Sequence, residues 1–211
     1  YSDGVFSPIE IIKLAVERGL DGISITDHDT VTGIEEAIDF SHNYSDFSII
    51  PGIEFSCIHN NDEVHILGYF IDYKSSRLRE KLNELNNARK DRGYKIVNRL
   101  NNLGIRINIE DVQNIGKGNF TGRVHIAKAL VNKGYATSVE EAFNKYLGIG
   151  KLAYVSRESL SIVDTLELIE GINGISVLAH PGLLKNKNII NYCIQKGIMG
   201  IECVHSKHSA E

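Results

Sequence analysis

The chain is poor in sulfur and lacks tryptophan: 211 residues hold three cysteines, one methionine and no Trp. Cys57, Cys193 and Cys203 are widely spaced and odd in number, which excludes a disulfide framework and a Cys-x-x-Cys zinc site. Buried thiols in a reducing cytoplasm are the expectation. Long apolar runs are also missing. Stretches such as 175–179 fall far short of the roughly 18 residues that cross a bilayer, so no membrane partner is expected. Neither sign of charge dominates: 23 Lys and Arg against 27 Asp and Glu leave a net charge of -4. A broad electrostatic grip on nucleic acid is therefore not expected. The apolar share of 42% and charged share of 24% exclude disorder and coiled coil as the main organisation. At about 150 residues per domain, the length implies one domain, or one domain carrying an insertion.

What is present is an alternation of helix and strand signals. Ser7, Pro8 and Glu10 supply an N-cap hydroxyl, a proline at the first helical position and a capping-box carboxylate. Thr32 and Glu35 repeat the capping pattern and predict a helix to about Tyr44. Short β-branched runs at 22–26, 48–54, 64–69, 174–179 and 200–204 read as buried strands. From 77 to 155 the pattern turns to long polar helices, which reads as a helical insertion between barrel segments 1–76 and 156–211. Arg18-Gly19-Leu20-Asp21-Gly22-Ile23 recurs as Lys196-Gly197-Ile198-Met199-Gly200-Ile201, and more loosely at 170–175. A helix stop followed two residues later by a strand start predicts βα units around a parallel sheet, with doubly wound sheet and barrel both open at this point.

Metal-type side chains stand at or near the strand ends: His28, Glu54, His65, His180 and His205. In parallel α/β folds that end is the functional face. One such histidine alone is ordinarily structural. Several imidazoles on one rim repel if protonated and need partners if neutral, and a metal ion satisfies both conditions. Asp27, beside His28, is placed to orient a ligating imidazole. His42 and His59 fall in a helix tail and a polar turn and read as solvent-facing.

Five segments, Tyr1-Ser2-Asp3-Gly4, Ile25-Thr26-Asp27-His28-Asp29-Thr30, Pro51-Gly52-Ile53-Glu54, His65-Ile66-Leu67-Gly68-Tyr69 and Leu178-Ala179-His180-Pro181-Gly182, resemble successive motifs of the PHP (polymerase and histidinol phosphatase) family. The insertion, with Gly122-Arg123-Val124-His125 and Ala153-Tyr154-Val155, resembles the branch of 3',5'-nucleoside bisphosphate phosphatases and 5'-to-3' RNA-trimming enzymes. The resemblance implies an α/β fold, a distorted (β/α)7 barrel that is incomplete in this chain, because the family's opening His-x-His pair and later Asp-x-His pair are absent from these residues. It implies a cofactor of two or three divalent ions (Mn, Fe or Zn). It places Asp3, His28, Glu54, His65 and His180 as metal ligands, with Glu54 bridging. Arg123 matches a phosphate-binding arginine, Arg89 and Arg92 fall at further phosphate contacts, and His205 and His208 match a motif at the pocket rim.

The implied activity is hydrolysis of a small-nucleotide phosphate monoester by metal-activated water, with His205 a candidate proton donor to the leaving group. The alternatives are a 5'-to-3' exoribonuclease on short RNA and a catalytically silent scaffold. The expected partner is a small nucleotide or short oligonucleotide, with no membrane or protein partner. Phe120, Tyr135 and Tyr154 are candidate base stackers, each with core packing as its plainer role.

Overall fold

A computed structural model describes residues 4–60, 62–115 and 122–208. In chain order the elements are α1 (Pro8–Glu17), β1 (Gly22–Ile25), α2 (Thr32–Ser41), β2 (Ser48–His59), β3 (Asp62–Tyr69), α3 (Ser76–Asn102), α4 (Ile109–Ile115), α5 (Arg123–Asn132) and α6 (Val139–Ala142), the last continuing as a π-turn over Phe143–Leu147. There follow α7 (Ile162–Glu170), β4 (Ile175–Leu178), a 3-10 turn (Pro181–Leu183), α8 (Asn188–Gln195) and β5 (Gly200–Ile201). They gather into two compact units, one of residues 1–82 with 159–211 and one of 83–158.

The first unit is a five-stranded sheet in the order β1-β2-β3-β4-β5, with α1, α2, α7 and α8 as its helices. It is mixed rather than parallel. β1 pairs parallel with β2 and β4 with β5, whereas β3 runs antiparallel to both neighbours. The all-parallel expectation fails at β2–β3 because the connection at Asn60 is a tight turn. A parallel crossover needs a dozen or more residues, so a connection this short can only reverse the chain. Asn60 takes φ 49°, the left-handed conformation that asparagine tolerates. β2 also runs on to His59, five residues past the predicted end, because the hairpin gives it a partner throughout.

Local signals explain the helix ends. The Ser7 hydroxyl accepts from Glu10 N, and the Glu10 carboxylate accepts from Ser7 N at 2.7 Å. For α2 the capping box does not form: Thr32 is already helical, Val31 stands at the cap, and Thr32 N donates to the Thr30 hydroxyl. α2 ends at Ser41 rather than near Tyr44. The recurrent turn is real at Gly19 (φ 71°) and Gly197 (φ 89°). In the looser third copy Asn173, not Gly171, takes the left-handed position.

Ile12, Ile34, Ile53, Phe55, Ile66 and Leu178, all with zero exposure, fill the core beneath the sheet. Gly52 is required by the close approach of β1: a Cβ there would lie 2.5 Å from Ser24 Oγ and 3.2 Å from Ile25 O. Gly52→Ala is expected to cost about 1–3 kcal/mol by overpacking, read as a lower urea midpoint with an unchanged slope. An unchanged midpoint would refute this packing account.

The second unit is helical among its described residues. Ile96 and Leu100 of α3, Ile126 and Leu130 of α5, and Leu147 form a core of their own. Ser138 caps α6 by accepting from Glu141 N at 3.0 Å.

Candidate functional site

The β2–β3 hairpin brings Glu54 and His65 together. The register sets Ser56 opposite His65 and Glu54 opposite Leu67, so the Glu54 and His65 side chains lie on one face of the hairpin, diagonally across the two strands. His28 joins from the segment after β1, forming a parallel bridge with Glu54. His180 follows β4, which is paired with β3. Four of the five residues predicted as ligands therefore converge. The fifth, Asp3, lies outside the described residues.

The distances are short. Glu54 Oε1 lies 2.9 Å from His65 Nδ1 and 3.1 Å from His180 Nε2, and these two nitrogens are 3.1 Å apart. His28 Nε2 is 3.7 Å from Glu54 Oε2, and its ring meets that of His65 edge-on at 4.8 Å. Ligand atoms held at about 2.0–2.2 Å from one ion stand roughly 3 Å apart when they subtend about a right angle, so the donor spacing fits a divalent cation. His28, Glu54 and His65 each offer a ligand atom within 4.8 Å of the others. His180 carries an unpartnered atom of its own. Its Nδ1 is buried and has no hydrogen-bond partner among the described residues. If the proton sits on Nε2, a bare lone pair is buried; if on Nδ1, an N–H is buried without an acceptor. Either is costly, and the cost sits on the nitrogen that faces away from Glu54 and His65, so the donor spacing alone carries the fit to an ion.

The electrostatics are those of a carboxylate among imidazoles. Burial pushes the Glu54 pKa up, but the hydrogen bond from His65 and the charges of His28 and His65 outweigh it, leaving it below the usual value. Burial pulls His65 down, and the hydrogen bonds to Glu54 and Glu63 overcome it, raising its pKa to about 9. Tyr69 is pushed upward by burial and by the Glu202 and Glu54 charges.

Two residues that sequence reasoning passed over hold His180 and Glu54 in place. His180 adopts φ 30°, a strained conformation for a side-chain-bearing residue. Its N–H donates to Glu202 Oε2 at 2.6 Å. Glu202 directly follows β5, so the strand-end rule that singled out Glu54 also singles it out. Glu202→Ala is expected to cost about 1.5–3 kcal/mol, the worth of a hydrogen bond to a charged group, and Glu202→Gln less. Chemical denaturation of the two variants checks this, and equal losses would count against the hydrogen bond. The second residue is Asp29, whose N–H donates to Glu54 O at 3.0 Å and whose Oδ1 accepts from Ser56 N at 3.1 Å. Asp27, predicted to orient an imidazole, contributes its carbonyl to Glu54 N at 3.2 Å.

The rim histidines continue the line of imidazoles. His205 lies 5.4 Å from His180 and His208 5.2 Å from His205, ring centre to ring centre. His205 Nδ1 accepts from Lys207 N, so a neutral ring carries its proton on Nε2. His208 meets backbone on both sides: Gly182 N donates to its Nε2 at 3.3 Å, and its Nδ1 faces Cys203 O at 3.4 Å. A ring so tied supports the loop after β4. His42 is exposed, as expected. His59 is half-buried and stacks on Tyr192 at 4.2 Å, because it ends β2 rather than lying in a polar turn.

The helical unit carries the arginines. Arg89, Arg92 and Arg123 line one cavity of about 220 Å³ together with Arg157, which sequence reasoning missed, and Phe143. Two of the guanidiniums, those of Arg92 and Arg123, are held by backbone carbonyls and rings. Arg92 Nε donates to Val155 O at 2.9 Å and Arg123 Nη1 to Leu147 O at 3.3 Å. Arg123 also packs over Phe143 and Tyr154, at 5.5 and 5.9 Å from the ring centres. Of the candidate stackers, Tyr154 thus faces Arg92 and Arg123, Tyr135 accepts from Arg106 N, and Phe120 lies outside the described residues. A cavity walled by anchored guanidiniums is suited to an oxyanion.

The sheet unit gathers three histidines around a carboxylate, a donor set that suits a divalent cation, and the helical unit by itself clusters arginines around a cavity that suits an oxyanion. The PHP domain family model matches residues 1–150, and the chain belongs to that family. It is 35% identical over 182 residues to the 5'-3' exoribonuclease Rnm of Escherichia coli (strain K12), covering 86% of this chain and 62% of the relative. It is 30% identical over 217 residues to the 3',5'-nucleoside bisphosphate phosphatase of Chromobacterium violaceum, covering 100% of this chain and 75% of that one. A solved structure of an amidohydrolase from Chromobacterium violaceum, with bound sulfate and no metal, matches with a TM-score of 0.81 at 29% identity. The match covers 99% of this chain and 75% of that chain. The chain thus spans less than two thirds of the length of the E. coli exoribonuclease it matches.

Proposed function

We propose that the chain belongs to a metal-dependent phosphoesterase that hydrolyses a phosphate monoester of a small nucleotide such as a nucleoside 3',5'-bisphosphate. The observation that carries this reading is the meeting of Glu54 Oε1, His65 Nδ1 and His180 Nε2 within 3.1 Å of one another. Glu54, His28, His65 and His180 would hold the metal, with Asp3 assigned beside them on its motif. A divalent ion bound there supplies a water acidified toward neutrality and a clamp on phosphoryl oxygens. Manganese, iron and zinc all suit mixed nitrogen and oxygen donors.

The other residues have their own tasks. Arg123 offers a bidentate fork to phosphate, held in aim by Phe143, Tyr154 and the Leu147 carbonyl. Arg89 and Arg92 add charge to the same wall. His205 would protonate the leaving alkoxide only as an imidazolium, which requires its Nδ1 to give up the Lys207 N–H and take a proton. The sulfate bound in the Chromobacterium violaceum structure supports an oxyanion ligand, since sulfate is tetrahedral like phosphate.

The relative named as an exoribonuclease favours a second reading, removal of nucleotides from the 5' end of short RNA. The test is phosphate release from adenosine 3',5'-bisphosphate beside cleavage of a 5'-phosphorylated RNA oligonucleotide, before and after chelation and with Mn²⁺ restored. Release lost on chelation and regained with metal is expected. Preference for the oligonucleotide would move the substrate to RNA, and turnover indifferent to chelation would overturn the metal reading.

A further inference from the structure

Asp29 lies in the segment that meets Glu54, yet neither the family match nor the relatives give it a task. Its backbone is in the left-handed region at φ 52°, where a non-glycine residue is strained. The β1–β2 ladder shows why it stands there. Gly22 pairs with Ser48, and the same offset carries through Ile25 and Pro51 to the bridge between His28 and Glu54. At that bridge Glu54 N donates to Asp27 O and Asp29 N donates to Glu54 O. In a parallel ladder the next bond runs from Ser56 N to the Asp29 carbonyl. That bond is not made by the carbonyl, because the left-handed turn takes the chain out of the sheet. Ser56 N donates instead to Asp29 Oδ1 at 3.1 Å.

We infer that the Asp29 carboxylate is a positioning residue: it replaces the missing ladder carbonyl and fixes Glu54 against His28 while the chain turns away. The strain and the side chain serve one purpose. The turn lets the chain leave directly after His28, and the carboxylate keeps β2 from fraying at Ser56, which is buried at 6% exposure. Glu54 is then held on both sides, by its own N–H and C=O and by the N–H two residues on. The inference rests on the metal reading only for its consequence at the site. The clamp itself is a statement about the ladder.

Three substitutions separate acceptor, charge and backbone. Asp29→Gly removes the acceptor and relieves the left-handed strain. Asp29→Ala removes the acceptor and keeps the strain. Asp29→Asn keeps an oxygen acceptor and a residue tolerant of this conformation, without the charge. Amide hydrogen exchange at Ser56 and Mn²⁺ binding by calorimetry are measured on each full chain. The Ser56 amide is expected to exchange faster in the glycine and alanine variants and at the native rate in the asparagine variant. Mn²⁺ affinity falls about 10- to 100-fold in the first two, the scale of lost ligand support, and recovers in Asp29→Asn. Native exchange at Ser56 in Asp29→Gly overturns the clamp. Asparagine as weak for Mn²⁺ as glycine, with Ser56 protected, overturns positioning in favour of charge. If the wild-type chain binds no Mn²⁺, the metal reading fails, and the exchange result alone decides the clamp.

Discussion

Glu54→Gln is expected to abolish phosphate-ester hydrolysis and to lower metal content together. The Glu54 carboxylate reaches His65 and His180 with one oxygen and faces His28 with the other. Glutamine keeps the shape and one oxygen but loses the anion that balances metal charge. Loss of several kcal/mol of charge stabilisation, at about 1.36 kcal/mol per decade, corresponds to a rate decrease of roughly a thousandfold or more. The fold should survive, because the core residues Ile53 and Phe55 on either side are untouched. Metal analysis, turnover and circular dichroism on one preparation check this. Native metal content with native turnover would remove Glu54 from the site.

Arg123→Ala is expected to give the complementary result, with metal retained and rate lost. A half-buried guanidinium held by two rings and a carbonyl is preorganised for phosphate. Removing a fork of charge-assisted hydrogen bonds at about 1.5–3 kcal/mol each predicts a loss on the order of a hundredfold or more in kcat/KM. Arg123→Lys should recover only part, since a point charge cannot make the fork. Metal content separates the roles, because Arg123 belongs to the helical unit and the imidazole cluster to the sheet unit. Loss of metal on this change would make Arg123 a folding residue.

Much of this was legible in the residues. The helix start at Ser7, the strand runs, and the histidines and glutamate proposed as ligands all carry local signals, and the sheet brings those four side chains within a few ångströms. Pairing direction was harder to read. The antiparallel β2–β3 hairpin was signalled only by a short Asn-Asn connection, easily overlooked beside a repeating helix-turn-strand unit. The Thr32 capping box was misread because the pattern does not reveal that Thr30 bonds Thr32 first. Asp29 is invisible as a clamp in sequence, since its role depends on a left-handed turn and on a ladder partner 27 positions away. Arg157 lies outside any helix and carries no periodic signal, so only the cavity it lines brings it into view.

The most direct measurement is an anomalous-scattering experiment on crystals grown with Mn²⁺. The account predicts a manganese peak bonded to Glu54, His65 and His180, with His28 beside it. A native fold in saturating Mn²⁺ with no peak there, and with His65 and His180 still turned on Glu54 and on each other, would contradict it.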